Sequence, residues 1–173
     1  MTSIIKVDTI QTSAGSTPTA SSLGIGGTVG QIVSSTSDTA QSTTSTSYST
    51  ISGLSVNITP TSTSSKIYIN YGIFAGTNNG YDECRVSLFR DSTDLKGSSN
   101  GTTRCPAFIS GNEAYFKMQY LGFNYLDTPS TLSQITYSVK FQSQSGQTLY
   151  INSRGFDGSN WTSSSITVME VLA

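Results

Sequence analysis

Apolar and polar residues alternate with a period of two along most of this chain, in short runs separated by Gly, Asn, Ser and Pro. The densest run is Lys66–Gly76, where Tyr68, Ile69, Tyr71, Ile73 and Phe74 suit a pleated, half-buried surface. Turn-formers flank it at 61–65 and 76–80, which predicts a central strand. Upstream, Leu54, Val56 and Ile58 face one way and Ser55 and Asn57 the other. Gly53 marks a bulge where the phase shifts from Ile51. Val86 and Leu88 share a face in Cys84–Arg90, and Ile135, Tyr137, Val139 and Phe141 point inward in the next clean alternation. Strands at 148–152 and 165–172 follow, the latter with Ile166 and Val168 on one face. Gln31–Ser34 reads as a short first strand. The Ser/Thr run from Ser35 to Ser47 holds no large apolar residue before Tyr48 and is expected to be an exposed loop or a poorly packed edge.

No segment has a helical period, so the chain is expected to be all-β. Eight or nine short strands between turns predict an antiparallel β-sandwich, with a jelly roll as the leading topology. An immunoglobulin-like sandwich fits less well, because the single Trp lies beyond both cysteines instead of between them. The run Tyr115–Leu126 carries large apolar groups on both faces. One face meets the core and the other needs a partner, which makes Tyr115, Phe116, Met118, Tyr120, Phe123 and Tyr125 a candidate subunit interface.

Residues 1–29 break the pattern. Ile4, Ile5, Val7 and Ile10 form a short apolar stretch, followed by a polar segment at 13–22 with the composition of an extended linker. An apolar tip on a flexible tether buries little within its own chain and suits docking on a partner. We therefore divide the chain into an anchor and linker arm at 1–29 and a β-sandwich domain at 30–173, a length that supports one well-buried domain plus an appendage.

Charge narrows the partners. Charged residues make up 11% of the chain, the net charge is -1, and Lys and Arg form no cluster, which argues against nucleic acid. No stretch is long and apolar enough to insert in a membrane, and the N-terminus lacks a signal-peptide core, so synthesis in a cytoplasm is expected. The absence of histidine removes the usual general base, the Ser-His-Asp triad and most transition-metal sites. Two carboxylates suffice for a glycosidase, but Asp82, Glu83, Asp91 and Asp94 fall in turns, where solvated carboxylates are ordinary. We expect no catalysis, no cofactor and no metal. Cys84 and Cys105 match no metal or CxxC spacing, and both paired and reduced states stay open. The segment from Arg154 to Trp161 has another interest. Trp161 either caps the end of the sandwich, as Trp usually is largely buried, or stands exposed as a sugar platform. In the second case Arg154, Asp157 and Asn160 meet hydroxyls, and Tyr81 joins if its loop lies at the same end.

The opening Ser3–Gln11, the Gly15–Ile25 segment after it, and the later Gly30–Val33, Lys66–Ile69 and Ser165–Val171 resemble virion structural proteins of marine tailed phages, including cyanophages. The resemblance implies a fibre or decoration protein located in the virion, a homotrimer, docked through its N-terminal arm to other virion proteins of tail, neck or capsid. It implies a sandwich displayed outward, and the segment around Trp161 makes a host-surface glycan the candidate receptor of a fibre. A head decoration protein without a receptor role and a free glycan-binding module are the alternatives.

Overall fold

The computed structural model describes residues 28–78, 84–95, 107–109, 118–143, 146–154 and 161–172. Every regular element among them is a strand: β1 Val29–Ser37, β2 Gln41–Thr43, β3 Ser49–Ile58, β4 Lys66–Thr77, β5 Cys84–Arg90, β6 Thr93–Asp94, β7 Ala107–Ile109, β8 Gln119–Asp127, β9 Ile135–Ser143, β10 Leu149–Ile151 and β11 Ser164–Val171.

Every pairing is antiparallel. β4 takes β8 along one edge, and β11 followed by β10 along the other. β1 and β2 continue outward from β11 and β10 respectively. Counting β1/β2 and β10/β11 each as one interrupted line gives a four-line sheet. The second sheet runs β3, β9, β5, with β6 and β7 sharing the far edge of β5. Successive lines alternate between the sheets, except that β5, β6 and β7 follow one another in the second, and they return beside earlier ones, which is the two-Greek-key order of a jelly roll. The expected all-β antiparallel sandwich is therefore what forms.

Alternation decides which residues fill it. Ile67, Ile69, Tyr71, Ile73 and Ala75 of β4 are fully buried and meet Ile166 and Val168 of β11, Val86 and Leu88 of β5, and Tyr137 and Val139 of β9. Each large aliphatic side chain so buried stabilises the fold by roughly 1.5–3 kcal/mol before entropy is counted. Gly53 sits at φ 81° and the β3–β9 register shifts between Thr50 and Ser55, so Ile51 and Leu54 both reach the core through the bulge. The Ser35–Ser47 run differs from expectation: β1 extends through Ser37 and β2 occupies Gln41–Thr43. A Ser/Thr segment has no apolar signature, yet backbone pairing to β11 and β10 makes it strand.

Two buried carboxylates tie the layers together. Glu170 of β11, fully buried, accepts from Gln31 Nε2 at 2.7 Å and from Thr61 N and Oγ1 at 2.7 and 2.8 Å. Burial alone pushes its carboxyl up, but the hydrogen bonds from Gln31 and Thr61 outweigh that and hold it below the ordinary value. Asp127, at the end of β8, takes both oxygens to Arg90 Nη1 at 3.1 and 2.9 Å. It also accepts the Tyr137 hydroxyl at 2.6 Å and the Thr128 amide at 2.9 Å. Burial, and then the bond to Asp127, raise the Tyr137 phenol far above its usual value.

The outward face of the β4 sheet has two characters. At one end Leu126, Tyr68, Met169 and Ile32 stand in register across β8, β4, β11 and β1, forming an apolar row in which Ile32 is 60% and Leu126 49% exposed. At the other end Tyr120 lies across Gly72 and Gly122 and packs on Phe74 with ring centroids 5.2 Å apart. A Cβ at Gly72 would fall 2.7 Å from Tyr120 Cε2, so glycine is what admits the ring.

Candidate functional site

Two breaks in the β4 sheet lie side by side. β1 pairs with β11 as far as Ser37–Ser164, and β2 pairs with β10 from Gln41–Ile151 onward. Between those pairs residues 38–40 leave the sheet, β10 ends at Ile151 and β11 begins at Ser164, while β4 runs on unbroken beside them.

A neck of polar side chains joins the end of β10, the start of β11 and the residues after β1. Asn152 is fully buried and adopts φ 59°, a left-handed conformation that Asn tolerates better than most residues. Its Nδ2 donates to the Ser37 carbonyl at 2.8 Å and to the Thr39 carbonyl at 3.2 Å. The Ser164 hydroxyl donates to Asn152 Oδ1 at 2.5 Å and accepts from the Phe74 amide at 3.1 Å. The Asn152 amide donates to the Phe74 carbonyl at 2.9 Å, and its carbonyl accepts from Thr162 N at 3.2 Å. The backbone groups that the break would orphan are thus paired again, as burial requires. Thr162 Oγ1 also lies 3.8 Å from Met118 Sδ, linking the returning chain to the start of β8.

Beside this neck lies an open cleft of about 500 Å³, lined among the described residues by Asp38, Thr39, Ala40, Trp161, Thr162 and Ser163. Trp161 is 73% exposed. Of the two fates open to it, the exposed one is what the structure has. A second hollow of about 250 Å³ adjoins at Ala40 and is lined further by Gln41, Ser42, Tyr150 and Ser153. Gln41 is occupied structurally: its Oε1 accepts from Ser52 N at 2.7 Å and its Nε2 donates to the Ser52 carbonyl at 2.9 Å. Tyr150 faces outward beside Ser42, opposite it in register.

Of the residues singled out from sequence, Trp161 lines the cleft, and Arg154 is half-buried two residues beyond Asn152. Tyr81, Asp157 and Asn160 lie outside the described residues, as do Ile4, Ile5, Val7 and Ile10 of the arm, Tyr115 and Phe116, Cys105 and the Cys84 side chain. Within β8, Tyr120 points outward, while Phe123 and Tyr125 are half-buried against the core, Phe123 also meeting Tyr71 at 6.0 Å. Met118 is half-buried beside Thr162. Asp38 to Ser42, Tyr150 and Asn152 gave no sequence signal. The only trace of their role is the Asn152-Ser153-Arg154-Gly155 turn composition after a three-residue strand.

Among the described residues no cluster of three Cys, Asp or Glu side chains stands ready to hold a metal ion. No helix there is long and apolar enough to cross a membrane.

No protein family matches the chain, and no curated protein matches it. Solved structures with a similar chain path include infectious bursal virus derived T=1 particles, at 13% identity and a TM-score of 0.45 over 83% of this chain and 36% of that one. The infectious bursal disease virus VP2 subviral particle is similar at 16% identity and a TM-score of 0.44, over 82% of this chain and 32% of that one. The chain spans about a third of the length of those proteins.

Proposed function

We propose that this chain is a non-enzymatic virion structural protein, a homotrimer docked through residues 1–29, whose jelly roll attaches to glycans on a host surface. The observation that carries the attachment reading is Trp161, held 73% exposed over a cleft by a neck of buried hydrogen bonds. An indole in that position covers the apolar face of a sugar ring while neighbouring hydroxyls and the Asp38 carboxylate meet its polar groups. Fold alone would not support this, since jelly rolls serve many functions. The virion reading draws on the resemblance at residues 2–11 and on the apolar outward row, which suits burial in an assembly. The buried carboxylates Asp127 and Glu170 are committed to structural donors, which fits a protein without catalysis.

The test is adsorption of virions carrying Trp161→Ala. We expect particles that assemble normally, with adsorption to host cells reduced at least about tenfold, the equivalent of roughly 1.4 kcal/mol. Unchanged adsorption would make the chain a decoration protein instead. Deleting residues 1–12 is expected to leave a folded domain that no longer enters particles, and normal incorporation would remove the anchor from the reading.

A further inference from the structure

The two hollows that meet at Ala40 say more about the ligand, and this step rests on the attachment reading above. We propose that the cleft takes an uncharged oligosaccharide of two or more sugar residues, lying across Ala40 from Trp161 to Tyr150.

Three observations carry it. First, the hollows adjoin at one small exposed side chain that lines both, with an aromatic residue in each: Trp161 in the larger and Tyr150 in the smaller. A single sugar covers one ring, whereas a chain meets both, so affinity rises with length. Second, the rest of the lining offers Thr39, Ser42, Thr162 and Ser163, short hydroxyl side chains that both donate and accept, as a polyhydroxylated ligand requires. Third, among the described residues the only charged one lining either hollow is Asp38, and no described Lys or Arg lines them. A carboxylate accepts from sugar hydroxyls but repels uronate and sulfate groups at contact distance. An acidic glycan would need cations where this cleft has an anion.

The chain supplies its own reporter, because Trp161 is its only tryptophan. The full-length protein is applied to an array of neutral and acidic microbial glycans, and each hit is titrated by tryptophan fluorescence with fragments of increasing length. We expect neutral hits that shift the emission, with a tetrasaccharide binding about tenfold or more tighter than its monosaccharide. Ala40→Phe, at an exposed position, should abolish the gain with length. Asp38→Asn should weaken neutral binding severalfold. Hits confined to acidic glycans would overturn the charge assignment while leaving glycan attachment standing. Neutral binding with no dependence on length, or unaffected by Ala40→Phe, would overturn the two-ended site alone. An array with no hits, or hits that leave the tryptophan emission unmoved, would overturn this proposal and the attachment reading together.

Discussion

Asn152 concentrates the residue-scale argument. It combines full burial, a φ of 59° and side-chain bonds to Ser37, Thr39 and Ser164. Asn152→Ala leaves two carbonyls and a hydroxyl without their partner and puts a Cβ residue in a left-handed conformation. Urea unfolding should show a loss of about 2–4 kcal/mol. Asn152→Gly avoids the conformational strain but loses the same bonds and should remain destabilised; a Gly variant as stable as the parent would mean the amide bridges contribute nothing. Gly72 is the converse case, a residue needed for what it lacks, since any side chain there displaces Tyr120 from its place over β4.

At the scale of elements, strand register determines what the surface offers. Leu126, Tyr68, Met169 and Ile32 come from four strands distant in sequence, and only their pairing lines them up. Tyr120 belongs to the same outward face, further along β8. If that face joins subunits, Ile32→Lys together with Leu126→Lys should convert a trimer to monomer in sedimentation velocity. Stability of the fold should change by less than about 0.5 kcal/mol per site, because both side chains are largely exposed. A parent protein that sediments as a monomer would remove the trimer. An assembly that survives both charges would move the interface elsewhere.

For the whole molecule, the carboxylate staples predict an acid response. Glu170 joins β11 to β1 and to the connection between β3 and β4, and its folded pKa lies below the ordinary 4.5. The stabilisation it gives is complete above the unfolded value and is lost as pH falls through the folded one. Thermal stability should therefore fall from about pH 4.5 downward. Glu170→Gln should lower Tm at pH 7, where the charge-assisted bonds are lost, and flatten the slope below pH 4.5. Parallel pH profiles for parent and variant would show that other groups govern acid stability.

Periodicity by itself determined the all-β class, the central place of Lys66–Gly76, the bulge at Gly53 and the inward residues of β3, β5, β9 and β11, because a buried face writes a period of two into the residues it selects. It was silent on Ser35–Thr43, where backbone pairing and not side-chain burial makes the strand. Trp161 was legible as a residue but not as exposed or buried, since a loop Trp has the same sequence in either state. Only the tertiary structure set the 38–40 break beside the ends of β10 and β11 and brought Asp38, Ala40 and Tyr150 to adjoining hollows with Trp161. The pair Asp38 and Ala40 lies more than a hundred residues from Tyr150 and Trp161 along the chain, and it is the antiparallel register of β1/β2 with β10/β11, a long-range property no local pattern encodes, that makes them neighbours.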